Sequence, residues 1–479
     1  MSKTVFAVNY SNPQKGCIFE ILRNFSARLL IFFILAAVAF FLPESVNALN
    51  VKKSSPAGGL TILHAERHAL PVVAVTLLIK ASPLNEQPEK AGTANLTARM
   101  LQEGTLKRTS LEIGEEIEFI GASLNTSVNR DYTTITMTVL KKDVEKGFEI
   151  LSDILLNPSF QENEIKRKKN LIKGSLKQSE EDPSFAAGRV FKKEAFGLHP
   201  YGRLVEGSLE SLDKIQRDDI VSFYNKYYLP QNSILSVVGN LTTDELSALI
   251  NAYLVKWFQR DKSSGISVKS LVADPPALKG QKVILIERDI TQANIVLGHM
   301  GISRNNPDYY DVVVMNYLLG GGGFASRLMK TVRDEMGLAY SIYSSFSPNI
   351  EPGEFSVEVQ TKNESANIVI REILKQMQKM RQEPITDKEL EDAKAFLTGS
   401  FPRRLETSRR IADFLAVIEF YNLGSDYIEK YPEYINKVSK EDVQKAAKKY
   451  LNPDDYVLVI AGNKEKIDLP DIKQPENLR

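Results

Sequence analysis

Histidine, cysteine and tryptophan are scarce in this chain: four, one and one among 479 residues. The lone Cys17 excludes an internal disulfide and a thiolate metal cluster. Neither sign of charge dominates, with 61 Lys and Arg against 60 Asp and Glu. That balance excludes the basic footprint of a nucleic-acid binder. Long apolar runs are also missing, apart from Leu29 to Leu42, which is too short to cross a bilayer comfortably. Arg23 and Arg28 precede that run and Val46-Asn47-Ala48 follows it, so residues 1–48 read as an export signal. The expected location is periplasmic or otherwise exported, with an uncleaved N-terminal membrane anchor as the alternative. Cleavage would remove Cys17 and leave the charges balanced, with no polybasic patch for a membrane surface.

What the chain does contain is a repeat. "KYYLPQNSILSVVGN" (226–240) parallels "KKYLNPDDYVLVIAGN" (448–463): a helix end, a Pro-bearing turn, an apolar strand and a Gly-Asn turn. Upstream, residues 133–176 parallel 353–401, each an alternating strand, a helix, a Pro-containing turn and a charged amphipathic helix. The near-constant offset predicts a duplicated domain. Residues 49–260 form the first copy, the Ser/Gly/Pro-rich 261–281 a linker, and 282–479 the second. The strands alternate apolar with polar residues, as half-exposed antiparallel strands do, and predict mostly antiparallel sheets packed with helices, so the fold class is α+β.

The only closely spaced histidines lie in "HAERH" (64–68). Gly58-Gly59, the β-branched residues around the motif and Pro71 predict two strands joined by a turn, with the motif at a polar hairpin tip. On an extended strand His64 and His68 would stand about 13 Å apart, too far to share one zinc. His199 in "HPYG" reads as a turn residue and His299 in "ANIVLGHMGI" as a partly buried strand histidine.

Three further segments carry a family resemblance: "KAGTANLTARMLQEGT" (90–105), "FGLHPYGRLVEGSLESL" (196–212) and "LLGGGGFASRLMKTVRDEMGLAYSIYSSF" (318–346). In order and spacing they resemble the pitrilysin-type M16 metallopeptidases, over about residues 55–468. The resemblance implies two domains facing each other as half of a clam-shell. It places Asn95, Ala98 and Arg99 where active members carry the His, Glu and His of His-x-x-Glu-His, and Ser175 near the further Glu ligand. Asn95 is a poor zinc ligand, Ala98 cannot activate water, and Arg99 has no lone pair to donate. No metal is therefore expected on this chain.

The resemblance also implies that Arg333 and Tyr340 of "VRDEMGLAY" contact substrate; their N–H and O–H groups suit a carbonyl oxygen that gains negative charge. The other reading of the pair is an ion pair of Arg333 with Asp334 or Glu335 and a Tyr ring in the core. Gly320, Gly321, Gly322 and Gly323 form either an adaptable substrate loop, like the glycine-rich stretch of processing-peptidase non-catalytic subunits, or a helix N-terminus packed on a strand. Together these features imply a non-catalytic subunit, inactive alone, which serves a metalloendopeptidase heteromer. It would bind extended peptides and act in trans on the zinc of an HxxEH-containing M16 partner, with no nucleic acid and no membrane after cleavage of the signal. Two alternatives stay open: a peptide-binding scaffold with no part in hydrolysis, and an autonomous zinc peptidase with relocated ligands.

Overall fold

The computed structural model describes residues 49–56, 58–260, 274–470 and 476–478. The expected export signal and residues 261–273 of the expected linker lie outside the described residues. From Val51 onward the chain forms one compact unit.

Two six-stranded sheets repeat one plan. The strands of the first are β1 (Val51–Ser54), β2 (Thr61–Glu66), β3 (Val72–Ile79), β4 (Ser123–Val128), β5 (Thr133–Leu140) and β6 (Ser233–Gly239), in the order β1-β2-β6-β3-β5-β4. Those of the second are β7 (Gln281–Glu287), β8 (Gln292–Met300), β9 (Ala339–Phe346), β10 (Glu354–Lys362), β11 (Tyr456–Gly462) and β12 (Glu476–Leu478), in the order β12-β7-β11-β8-β10-β9. Five strands correspond one to one. The sixth is β1, which precedes the other strands of the first sheet, and β12, which follows the other strands of the second. The class is α+β, and most neighbouring strands are antiparallel.

Two expectations need correction. β2 and β3 do not form a hairpin, because β6 inserts between them, parallel to β2 and antiparallel to β3. The motif is thus not a polar hairpin tip: His64 is buried on β2, its Nε2 3.0 Å from the Leu241 carbonyl and its Nδ1 3.3 Å from Thr243 Oγ1. Of the two histidines only His68 stays exposed, 2.7 Å from Asn240 Oδ1. Second, the central strands are not half-exposed. Every residue of β6 and β11 is buried, so both faces of each sheet are covered.

The covering helices are exchanged between the halves. Helix α3 (Pro183–Phe196) belongs to the first half but lies on β8 and β11 of the second sheet. Ala186, Ala187, Val190 and Phe191 pack there with Ile284, Val296, Val457, Val459 and Ala461. The strand period of two sends Tyr456, Leu458 and Ile460 to the opposite face, into the second half's own core. Conversely, helix α5 (Ser408–Phe420) of the second half lies on β3 and β6 of the first sheet. Thr76 donates to its Asp413 at 2.5 Å. A polar node closes the same seam: Arg130 pairs with Glu354 at 2.5 Å, and buried Asp131 accepts from the Tyr201 hydroxyl, from the Tyr421 hydroxyl at 2.6 Å and from Ile350 N at 2.9 Å.

His299 is buried on β8, where one ring nitrogen bonds the Met300 carbonyl at 2.8 Å and Nε2 accepts from Asn452 N at 3.0 Å. Burial pushes its pKa from the usual 6.5 to about 4. The folded state therefore refuses a proton that the unfolded chain takes up below pH 6.5. Stability is full above that pH and falls, by up to about 1.4 kcal/mol per pH unit, as pH drops toward 4. In urea titrations between pH 6.5 and 4.5, His299→Asn should show a shallower loss than the wild type; an identical slope would refute this assignment.

Candidate functional site

Helix α1 (Thr93–Met100) carries the three motif positions. It begins at Gly92, whose φ of +100° suits glycine and where a Cβ would stand 2.6 Å from the Glu206 carbonyl oxygen. In place of a capping Ser or Asp, the Glu86 carboxylate accepts from Gly92 N at 3.1 Å and Ala94 N at 2.7 Å, against the positive helix end. Desolvation pushes that carboxyl up to about 7, although the two N–H groups and the Arg203 charge pull it down.

Asn95 and Ala98 are buried and Arg99 is exposed. The one side-chain bond within the motif is Arg99 Nε donating to Asn95 Oδ1 at 2.9 Å. This i,i+4 pair is what helical spacing brings together. Helix α2 (Glu162–Glu180) packs on α1 and carries Ser175, which is exposed. Glu103, just after α1, is buried and pairs with Arg167 and Lys168 of α2. The donor set does not fit zinc. The Asn95 oxygen is already bonded to a guanidinium, Ala98 has no polar group, Arg99 offers only donors and Ser175 is a neutral hydroxyl. Among the described residues no cluster of three His, Cys, Asp or Glu is arranged to hold a metal.

The second group lies in the other half. Helix α4 (Tyr309–Asn316) runs into a π-helical turn, Tyr317–Gly321, and a second π-helical stretch, Met329–Glu335, follows the glycine run. Such widened turns are rare and recur at functional sites. Arg333 stands in the second stretch. Gly337 at φ +66° then turns the chain out of the helix and into β9. Tyr340 near the start of β9 is 87% exposed, so its ring is not in the core. The Arg333 guanidinium lies 4.6 Å from the centre of the Phe324 ring and 5.6 Å from that of Tyr340. Its bond to Asp334 is a 3.3 Å contact to an exposed neighbour, the kind of pair that contributes little.

Arg333 and Tyr340 are therefore side by side, as are Asn95 and Arg99, and no hydrogen bond or ion pair among the described residues links the two groups. Phe324 was not singled out by sequence reasoning. Its signal is a large aromatic directly after four glycines, and it is 71% exposed.

The glycine run stands at the carboxyl end of a helix rather than at an N-terminus, which corrects one of the two readings. Its close packing against a strand is present: a Cβ on Gly320 would stand 2.5 Å from Ser344 Oγ and 2.6 Å from Ser344 N, on β9. Asn316 ties the same place, donating from Nδ2 to the Ser344 carbonyl at 3.2 Å and accepting from Ser344 Oγ at 2.7 Å. Gly323, by contrast, has φ +58° and open space around it. The first glycine is thus needed for contact and the last for its backbone angle.

Residues 61–208 match the sequence description "Insulinase (Peptidase family M16)", and residues 214–397 match "Peptidase M16 inactive domain". The chain is 26% identical to the uncharacterized zinc protease YmxG of Bacillus subtilis, over 86% of this chain and 98% of that one. It is also 26% identical to the non-peptidase homolog YmxG of Helicobacter pylori, over 91% and 99%. A crystal structure of a peptidase M16 inactive domain from Pseudomonas fluorescens superposes with a TM-score of 0.80 at 28% identity, covering 88% of this chain and all of that one. A Helicobacter pylori protease structure has the same fold, with a TM-score of 0.80 at 19% identity. With these matches across both halves, the chain belongs to the M16 peptidase family as a non-catalytic member.

Proposed function

We propose that this chain is the substrate-binding, non-catalytic subunit of a two-subunit zinc peptidase. Arg333 and Tyr340 act in trans on a peptide held at the zinc of an HxxEH-bearing M16 partner, and this chain itself binds no cofactor. The observation that carries the reading is a pair of half-buried Arg333 and exposed Tyr340, steadied by Phe324, in a chain whose own motif cannot hold zinc. Arg333 makes only a weak 3.3 Å ion pair with its exposed neighbour Asp334, which leaves most of its N–H donors free for a ligand. They suit the oxyanion that develops on a scissile carbonyl.

The substrate is an extended peptide. Each sheet ends in a strand with one open edge, β4 in the first half and β9 in the second, and backbone groups on such an edge can accept an added strand. The words "zinc protease" in relatives' names are not carried over to this chain, because its motif positions lack the ligands. The expected export signal at residues 1–48 supports a location in the periplasm or otherwise outside the cytoplasm.

The test is co-expression with a neighbouring M16 chain that carries HxxEH, followed by gel filtration and a peptide-cleavage assay. The expected result is co-elution and cleavage by the pair, with no cleavage by this chain alone and no zinc retained by it. About one tightly held zinc per purified chain, or cleavage by the isolated chain, would overturn the proposal.

A further inference from the structure

The guanidinium of Arg99 stands where the family places a zinc ligand, and its charge is left over. Nε is fixed by Asn95 Oδ1 at 2.9 Å, which orients the plane, while Nη1 and Nη2 donate to nothing among the described residues. The nearby acids are already neutralised: Glu103 pairs with Arg167 and Lys168, and Glu164 with Arg167 at 2.7 Å. β4 beside it, Ser-Leu-Asn-Thr-Ser-Val, has no charge at all. Helix α1 packs against that strand, and Gln102 Nε2 reaches the Leu124 carbonyl at 3.3 Å. The cation therefore sits on the helix next to the open edge of the first sheet.

We propose that the degenerate metal site is a carboxylate-binding site, in which Arg99, oriented by Asn95, holds a carboxylate of an extended peptide lying along β4. This rests on the peptide-binding reading above and adds a chemical preference to it. Two free –NH₂ groups in a planar fork match the two oxygens of a carboxylate, and a fixed guanidinium loses less freedom on binding than a mobile lysine. The guanidinium holds an anion and does no chemistry. The carboxylate is either the peptide's C-terminus or an Asp or Glu side chain.

Fluorescence anisotropy on the full chain alone, without a partner, tests this. Three forms of one otherwise uncharged, N-terminally labelled peptide are titrated: a C-terminal amide, a free C-terminal acid, and an amide with one internal Glu. At least one acid-bearing form should bind about tenfold more tightly than the plain amide, and which form does so identifies the source of the carboxylate. Arg99→Gln should abolish that difference. Asn95→Asp, which gives Arg99 an internal carboxylate at the same distance, should abolish it as well. Equal binding of all three peptides to the wild type, or a preference that survives Arg99→Gln, overturns the carboxylate site and leaves the peptide-binding reading standing. Binding of none of the three overturns the carboxylate site and the binding of extended peptide by this chain alone, and leaves the in-trans role to the test with the partner.

Discussion

Arg333→Ala, assayed in the complex with a zinc-bearing partner, is expected to lower kcat about 10²- to 10³-fold and to leave KM within about threefold. The split follows from what the residue offers. A guanidinium placed at a developing oxyanion gains most of its interaction in the transition state, and only such interactions accelerate the chemical step. Arg333→Lys should recover little, because an ammonium cannot reproduce the planar fork or its stacking between Phe324 and Tyr340. Phe324→Ala should act more weakly, by a few-fold, since an exposed cation–π contact contributes about 0.5–1 kcal/mol and its loss frees the guanidinium without removing it. Gel filtration of each variant with its partner must show an intact complex for these rates to be comparable. If the Arg333→Ala complex forms and cleaves at the wild-type rate, the chain's part in the assembly is that of a scaffold, and the in-trans role is wrong.

The repeat was legible because it rests on local signals. A helix end, a Pro turn, an apolar strand and a Gly-Asn turn recur at 226–240 and 448–463, and β6 and β11 lie there. Strand order was less legible. Nothing near "HAERH" reports that residues 233–239, some 170 positions later, will insert between β2 and β3, since pairing of this kind is decided by long-range burial rather than by turn chemistry. His64 was misplaced for the same reason: its cover comes from Leu241 and Thr243, beyond β6.

At the site, residue identities were readable while partners were not. That Arg99 cannot bind zinc follows from its chemistry alone. That it bonds Asn95 needs both residues on one helix face with Asn95 buried. Phe324 escaped notice because an aromatic after glycines is ordinary until its ring is found over Arg333. An amphipathic helix likewise announces that it will cover a sheet without saying which one. This is why α3 and α5 gave no hint that they cross to the opposite half.

That exchange sets the second large effect. Phe191 is almost fully buried, and its ring approaches β8 so closely that a Cβ on Gly298 would meet it at 2.9 Å. Phe191→Ala should cost about 3–5 kcal/mol, the usual range for removing a buried aromatic ring from a site that cannot collapse. The cavity would open between the halves rather than within one of them. Loss of Phe191 should therefore lower the midpoint of a single urea transition in which both halves unfold together. Leu198→Ala, two residues past the end of α3 at a side chain that is 86% exposed, is the control and should change stability by no more than about 0.5 kcal/mol. A Phe191→Ala chain that unfolds in one step within about 0.5 kcal/mol of the wild type would mean that the exchanged helices touch the opposite sheets without binding the halves together. If the cost is as large as expected, neither half is a free-standing domain. The face of α3 would be bare without β8 and β11, and β3 and β6 would be bare without α5, so the pairs carrying Arg99 and Arg333 are held by a single cooperative unit.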